Sequence, residues 1–182
     1  MSPTHIALIL DGNRRYARAS AKPESEGHKA GAKNFEDMCK VLREKGFTQI
    51  SAFLLSTENM QRSKSELAEL YSLFKTYVDK IVKDSKDEVR INVVGDRSLF
   101  PADVVKKINE VEQATKNYTK YTLNLLFGYG SRREIVTAVN RLLRSGATSV
   151  TEDAFAQSLW LTSEPDLVIR TGGEVRLSNF LL

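Results

Sequence analysis

Four short stretches concentrate residue types able to handle a polyanion. Asp11-Gly12-Asn13-Arg14-Arg15 packs a carboxylate, a glycine and two guanidinium groups into five positions. Ser56-Thr57-Glu58-Asn59, with Arg62 just beyond, adds small hydroxyls, an acid and a base; Gly128-Tyr129-Gly130 and Thr171-Gly172-Gly173-Glu174, the latter followed by Arg176 and Ser178, complete the set. Arginine makes charge-assisted hydrogen bonds to phosphate, net about 1.5–3 kcal/mol each. Gly12 lets the backbone approach a ligand closely. A helix starting near Asn13 offers free N–H groups and a positive dipole end. Asp11 would repel phosphate unless a cation lay between them, and Mg²⁺, held by one or two carboxylates plus phosphate oxygens, resolves that conflict. The pentapeptide alone fits equally well a helix N-cap with solvated arginines. Arg170 and Arg176 are candidates to converge on one anion, against a plain loop with surface arginines. His28 is ambiguous, since a lone histidine more often caps or packs than catalyses; Tyr129 and Trp160 read as structural. There is no Gly-x-x-x-x-Gly-Lys-Ser/Thr element for a P-loop.

The elements expected to carry these stretches alternate between strand and helix. Strand-like runs fall at Ile6–Leu10, Ile50–Leu55, Arg90–Val94, Thr122–Phe127 and Asp166–Arg170. Between them lie helical patterns: Gly31–Glu44; Ser63–Val82, with a Leu67, Leu70, Tyr71, Phe74, Val78, Ile81 stripe at a period near 3.6; a helix opened by Pro101; one beginning at Ser131; and a short one capped by Thr151 and containing Phe155 and Leu159. Ser63 with Glu66, and Ser131 with Glu134, match the capping box. Repeated β-α units predict an α/β fold with a mostly parallel central sheet flanked by helices on both faces. Ligands in such sheets bind beyond the carboxyl ends of the strands, where the four stretches fall. The charge run Lys83–Glu88 reads as a solvated helix end.

The 182 residues suit one domain; hydrophobic residues make up 41% and charged residues 27%, with a net charge of +4. Those values fit a folded protein with a mild preference for anionic partners. The single cysteine, Cys39, permits no intrachain disulfide, which suits a reducing compartment; with two scattered histidines it makes no zinc site. No apolar run approaches the ~20 residues needed to span a bilayer, and Met1–Thr4 does not open a signal peptide. A soluble, cytoplasmic protein is expected.

The run from His5 to Ala17 resembles the opening of the cis-prenyltransferases, the undecaprenyl and dehydrodolichyl diphosphate synthase family. Gly27–Gly31, Ser56–Arg62, Asn124–Arg132 and Asp166–Leu182 resemble four further blocks of that family, in order along the chain. The resemblance implies a single cis-prenyltransferase domain over residues 1–182 that condenses isopentenyl diphosphate onto an allylic diphosphate such as farnesyl diphosphate, forming a new cis double bond. By the same resemblance Asp11 binds Mg²⁺ and assists departure of the allylic diphosphate. Gly12, Asn13, Arg14 and Arg15 cradle that group, with Tyr16 beside them and His28 nearby. Arg170, Arg176, Leu177 and Ser178 surround the second diphosphate. Asn59 matches a residue tied to proton removal, with Ser56, Thr57, Glu58, Met60 and Arg62 as its neighbours. The product needs a hydrophobic tunnel, for which the Leu67, Leu70, Phe74, Val78, Ile81 stripe facing Leu123 and Leu125 is the candidate; ordinary core is the alternative. A homodimer and peripheral membrane contact during product release are also implied.

The sequence departs from the family pattern at several points. Arg14-Arg15-Tyr16 replaces the Gly-Arg-Trp of many bacterial members, a form leaning toward archaeal or eukaryotic types. Glu24 stands where a phosphate-binding arginine is usual, and Met60 where tryptophan is common. The chain stops at Leu182, where members continue into a further strand and a segment carrying an acidic metal ligand and much of the dimer surface. The expectation is a domain truncated at the C-terminus, with a C-terminal strand missing. Two rival readings are a non-catalytic subunit of a two-component synthase and a basic nucleic-acid-binding domain. The presence of Asp11, Asn59, Arg170 and Arg176 argues against the first, and the lack of aromatic residues interleaved with basic ones against the second.

Overall fold

The computed structural model describes residues 3–84 and 88–181. The middle of the Lys83–Glu88 run, the first two residues and Leu182 lie outside the described residues. Five strands, β1 (His5–Ile9), β2 (Gln49–Ser56), β3 (Val89–Val94), β4 (Tyr121–Tyr129) and β5 (Leu167–Arg170), form one sheet in the order β3-β4-β2-β1-β5. Every pairing is parallel. β1 is buried at all five positions, which explains its unbroken apolar run: a central strand of a covered parallel sheet has no solvent face.

The helices are α1 (Asn13–Ala19), α2 (Glu24–Glu44), α3 (Lys64–Asp84), α4 (Ala102–Thr115), α5 (Ser131–Arg144) and α6 (Glu152–Gln157). On one face of the sheet, Phe35 and Leu42 of α2, Phe74 and Val78 of α3, and Val104, Ile108 and Val111 of α4 join Ile6, Leu8, Ile50, Ile91, Leu123 and Leu125 in the larger core. On the other, Ala7, Ile9, Phe53, Val94, Leu126 and Tyr129 pack with Phe180, Trp160 and Leu161. Phe74, Phe127 and Phe100 stack in series, with ring centroids 4.4 and 4.8 Å apart.

Several details differ from the sequence reading. α2 begins at Glu24 rather than Gly31. Gly27 and Gly31, which weaken a helix by about 1 kcal/mol each relative to alanine, lie in its first turns because α1 crosses there: a Cβ on either would fall 2.3 Å from an oxygen of Asn13. The second capping box does not form. α5 is N-capped by Gly130 without a side-chain bond. Ser131 instead donates to Asn179 Oδ1 (2.8 Å), and Glu134 turns inward to accept the Tyr129 hydroxyl and the N–H groups of Trp160 (2.7 Å) and Leu161 (3.0 Å). A buried carboxylate with three donors is satisfied there, whereas at a helix end it would compete with water. The first box forms by half: Ser63 Oγ accepts from Glu66 N–H at 3.2 Å, while the Glu66 carboxylate pairs with Arg62. Finally, α6 stops at Gln157, short of Leu159, and β4 extends through Gly128 and Tyr129, which are therefore strand and not loop.

Candidate active site

The strand ends bring the predicted stretches together. Ile9 is in register with Arg170 across β1–β5, and Ser56 with Tyr129 across β2–β4, so the segments that follow share one rim. There a cavity of about 760 Å³ opens. Asp11, Gly12, Asn13, Arg14, Arg15 and His28 line one side of its mouth; Ser56, Glu58, Asn59 and Arg62 line another; Arg132, Arg170, Ser178 and Asn179 complete it. Among the predicted site residues, Tyr16, Thr57, Met60, Arg176 and Leu177 do not line it. Tyr16 and Leu177 are exposed, Met60 packs against the larger core, and Thr57 donates to Glu58 at 3.2 Å.

Asp11 is the hub of the mouth. Its Oδ2 accepts from Arg170 Nη2 at 2.8 Å, Arg170 Nε at 3.1 Å and Arg15 Nη2 at 3.2 Å. Burial works to raise its carboxyl, but the bonds and charge of Arg170, the Gly12 N–H and the Arg15 charge outweigh it, so Asp11 titrates below the ordinary aspartate value. Asp11 is not the cap of α1; Gly12 is, with φ 103°. α1 has only seven residues, so the guanidinium groups dominate the local field. Gly172 gives the carboxylate its clearance: a Cβ there would sit 2.4 Å from Asp11 Oδ2 and 2.7 Å from Arg15 Nη2. Arg170 is also anchored from behind, its Nη1 donating to Arg176 O (2.6 Å) and Ser178 Oγ (2.8 Å). The Arg176 side chain itself is drawn to Glu174.

Two acids organise the rest: Glu24, which stands where a phosphate-binding arginine is usual, and Glu58, expected among the substrate-binding residues. Glu24 holds Arg14 Nε at 2.6 Å and Arg18 Nη2 at 2.8 Å, and those bonds keep its carboxyl below the usual range. Glu58 accepts from Asn179 Nδ2 at 2.7 Å; burial would raise its carboxyl, but its own N–H, Asn179, Ser56 and Thr57 hold it down. Asn179, overlooked as a site residue, ties the tail to both Glu58 and the start of α5. Its left-handed backbone (φ 64°), which asparagine tolerates better than most residues, is a signal visible only in three dimensions. Burial and the charge of Arg62 lower the His28 pKa, which favours its neutral imidazole.

Behind the mouth the lining turns mainly apolar, with Glu36, Lys40, Arg43, Lys80 and Asp84 also contributing. Phe53, Leu54 and Leu55 of β2, Leu123, Leu125 and Phe127 of β4, and Leu70, Phe74, Val78 and Ile81 of α3 line it, together with Leu73 and Tyr77, which fall outside the anticipated stripe. Leu67 packs on the core without reaching the cavity. The cavity continues past Cys39 to Thr48, Val89 and Tyr121 at the opposite strand ends, a run alongside eight-residue β2 of about 26 Å. Burial pushes the Cys39 thiol up to about 12.

A charged mouth joined to a long, largely apolar shaft suits an amphiphile with an anionic head. The sequence profile of the prenyltransferase family described as undecaprenyl diphosphate synthase matches residues 9–182. The chain belongs to that family. By relationship it is a cis-prenyltransferase. It is 42% identical over 182 residues to an isoprenyl transferase of Fusobacterium nucleatum, an alignment covering 99% of this chain and 79% of the relative. It is 43% identical over 192 residues to a tritrans,polycis-undecaprenyl-diphosphate synthase (geranylgeranyl-diphosphate specific) of Pyrobaculum aerophilum, covering 99% and 80%. The fold matches lavandulyl diphosphate synthase of Lavandula x intermedia, crystallised with dimethylallyl diphosphate, at a TM-score of 0.92 and 28% identity over 99% of this chain and 82% of that one. Among the described residues no helix is long and apolar enough to cross a membrane.

Proposed function

We propose that this cis-prenyltransferase condenses isopentenyl diphosphate with an allylic diphosphate such as farnesyl diphosphate, and that the cavity holds the growing chain. The observation that carries this reading is the continuity of one cavity from Asp11 and Arg170 to Val89 and Tyr121. In the proposed reaction the allylic C–O bond breaks and its electron pair leaves on the diphosphate. The isopentenyl double bond supplies the electrons of the new C–C bond, and loss of a proton from the isopentenyl unit restores a double bond. Arg14 and Arg15 would hold the departing diphosphate, where negative charge grows, so that their contacts strengthen in the transition state. Arg170 and Ser178 would hold the diphosphate of the isopentenyl unit. Asn59, an uncharged amide at the mouth, is assigned to orienting the isopentenyl unit for proton loss. The apolar shaft excludes water from the allylic cation's path.

Mg²⁺ fits this arrangement. No group of three or more His, Cys, Asp or Glu gathers among the described residues, which rules out a preformed protein cage there but suits an ion that takes one carboxylate plus phosphate oxygens and water. Asp11 is the carboxylate placed to hold it, and the ion would supply charge neutralisation on the diphosphate. We further propose a homodimer, with the exposed Val136, Val139 and Leu143 stripe of α5 as surface for a second copy to cover; sedimentation equilibrium tests it. Product release is assigned to a membrane surface, since an apolar tail leaving the shaft needs an apolar phase. The deciding assay for the reaction is radiolabelled isopentenyl diphosphate with farnesyl diphosphate and Mg²⁺, products resolved by length. Elongated, Mg²⁺-dependent products support the reading; no incorporation with any allylic primer removes it.

A further inference from the structure

Asp11 is a crowded acid. A single carboxylate oxygen, Oδ2, takes three N–H donors from two guanidinium groups, all within 3.2 Å. A divalent cation approaching that oxygen would meet two positive charges already seated on it. Arg170 is equally committed, since its Nε/Nη2 edge points at Asp11, while Arg15, with its side chain 57% exposed, lends the carboxylate Nη2 alone. Each partner in this cluster therefore blocks the ligand that the other is suited to hold.

Resting on the reading of Asp11 as the metal carboxylate and of the arginines as diphosphate ligands, we propose that the Asp11–Arg170–Arg15 cluster is a charge-exchange latch. A diphosphate draws the guanidinium groups off Asp11, and only then is the carboxylate open to a divalent cation. Two features fit an exchangeable pair. Arg170 is pivoted, not merely paired: its Nη1 is fixed to Arg176 O and Ser178 Oγ, so the Nε/Nη2 edge can change partner while the side chain stays at the mouth. Gly172 leaves no side chain against Asp11 Oδ2 and Arg15 Nη2, where a Cβ would lie 2.4 and 2.7 Å away, so nothing at that position wedges the pair together. The consequence is positive linkage. A diphosphate that takes the arginines strands Asp11 without a counter-charge, and a cation at Asp11 relieves that; by reciprocity each ligand tightens the other. Either alone has to break the latch unaided and binds weakly.

The test uses inorganic pyrophosphate and Mn²⁺ as separate probes. Calorimetry with pyrophosphate in EDTA compares the wild-type chain with Asp11→Asn, and the electron paramagnetic resonance signal of free Mn²⁺, without pyrophosphate, follows metal binding to wild type, Arg170→Gln and Arg15→Gln. Asp11→Asn is expected to bind metal-free pyrophosphate about tenfold tighter than wild type, because its arginines start free. Arg170→Gln and Arg15→Gln are expected to bind Mn²⁺ several-fold tighter, a gain abolished when Asp11→Asn is added. Arg15 is exposed, so its variant keeps the metal arm interpretable if Arg170→Gln unfolds by circular dichroism. Metal-free pyrophosphate affinity in Asp11→Asn equal to or below wild type, in a chain that does bind pyrophosphate, overturns the latch alone. Failure of every variant to bind pyrophosphate, with or without Mn²⁺, removes the proposed function and the latch with it.

Discussion

The two ends of the cavity are built from opposite kinds of contact. At the mouth, Arg14, Arg15, Arg62 and Arg170 each already hold a carboxylate of the protein, from Glu24, Asp11, Glu66 and Asp11 respectively. Along the shaft most contacts are between apolar side chains, with Phe74, Phe127 and Phe100 stacked in the same core as Leu125 and Val78. Exposed ion pairs are worth little net, typically 0–1 kcal/mol, so Arg14 and Arg15 exchange partners at low cost, while Arg170, with its side chain 12% exposed, is held more firmly. Packed apolar side chains have no alternative partner, and losing one leaves a void. The mouth is therefore suited to changing state with each ligand, while the shaft keeps its shape.

The largest effect should fall at the mouth and on chemistry alone. Asp11→Ala is expected to cut turnover by roughly 10²–10³-fold or more, with the melting temperature little changed. A variant that unfolds, or one that turns over normally, breaks the division between a chemical mouth and a structural shaft. Phe74→Ala should do the reverse, costing about 3 kcal/mol of stability in a denaturant titration; a neutral result would mean the shaft collapses around the void and is less rigid than the stacked rings imply. Leu70→Trp places bulk in the lining of the shaft and should shorten products without abolishing condensation, read from the radiolabelled ladder. Unaltered lengths would separate the cavity from the growing chain.

The smallest effect concerns a third kind of contact, the ion pairs that strap α2 to α3 outside the mouth. Hydrogen bonds from Lys80 and Lys40 lower the Glu36 carboxyl from 4.5 to about 2. A depressed folded-state value means the contribution is fully present above pH 4.5 and is lost as pH falls toward 2. Solvent screening limits it to about 1 kcal/mol. Glu36→Gln should lower stability at pH 7 by that amount and flatten the acid limb of a pH–stability profile between those values; an unchanged acid limb would show the strap contributes nothing.

How much of this was legible in the chain depends on range. All five strands and the long helix through Phe74 follow from local apolar periodicity, and Pro101 and Thr151 mark helix starts from their own chemistry. Asp11 and Arg170 are 159 residues apart, yet the rule that ligands gather at strand ends brought them to one rim. The early start of α2 was hidden because its glycines answer to α1 crossing them, a contact between elements. Glu134 misled for the same reason. Its spacing from Ser131 fits a local cap, and only the approach of Trp160 and Tyr129 makes the interior the better place for its carboxylate.

The sequence by itself determined the parallel α/β layering, the family and the residue types at the strand ends, because periodicity and motif order are properties of neighbours along the chain. Which arginine faces which acid was decided only by the tertiary structure. Arg170 could have met Glu174, four residues away, and instead reaches Asp11 because β5 lies beside β1; Arg14 meets Glu24 because α1 folds back on α2. Charge pairing acts over a few ångströms whatever the separation in sequence, so it becomes fixed only when the backbone has closed those distances.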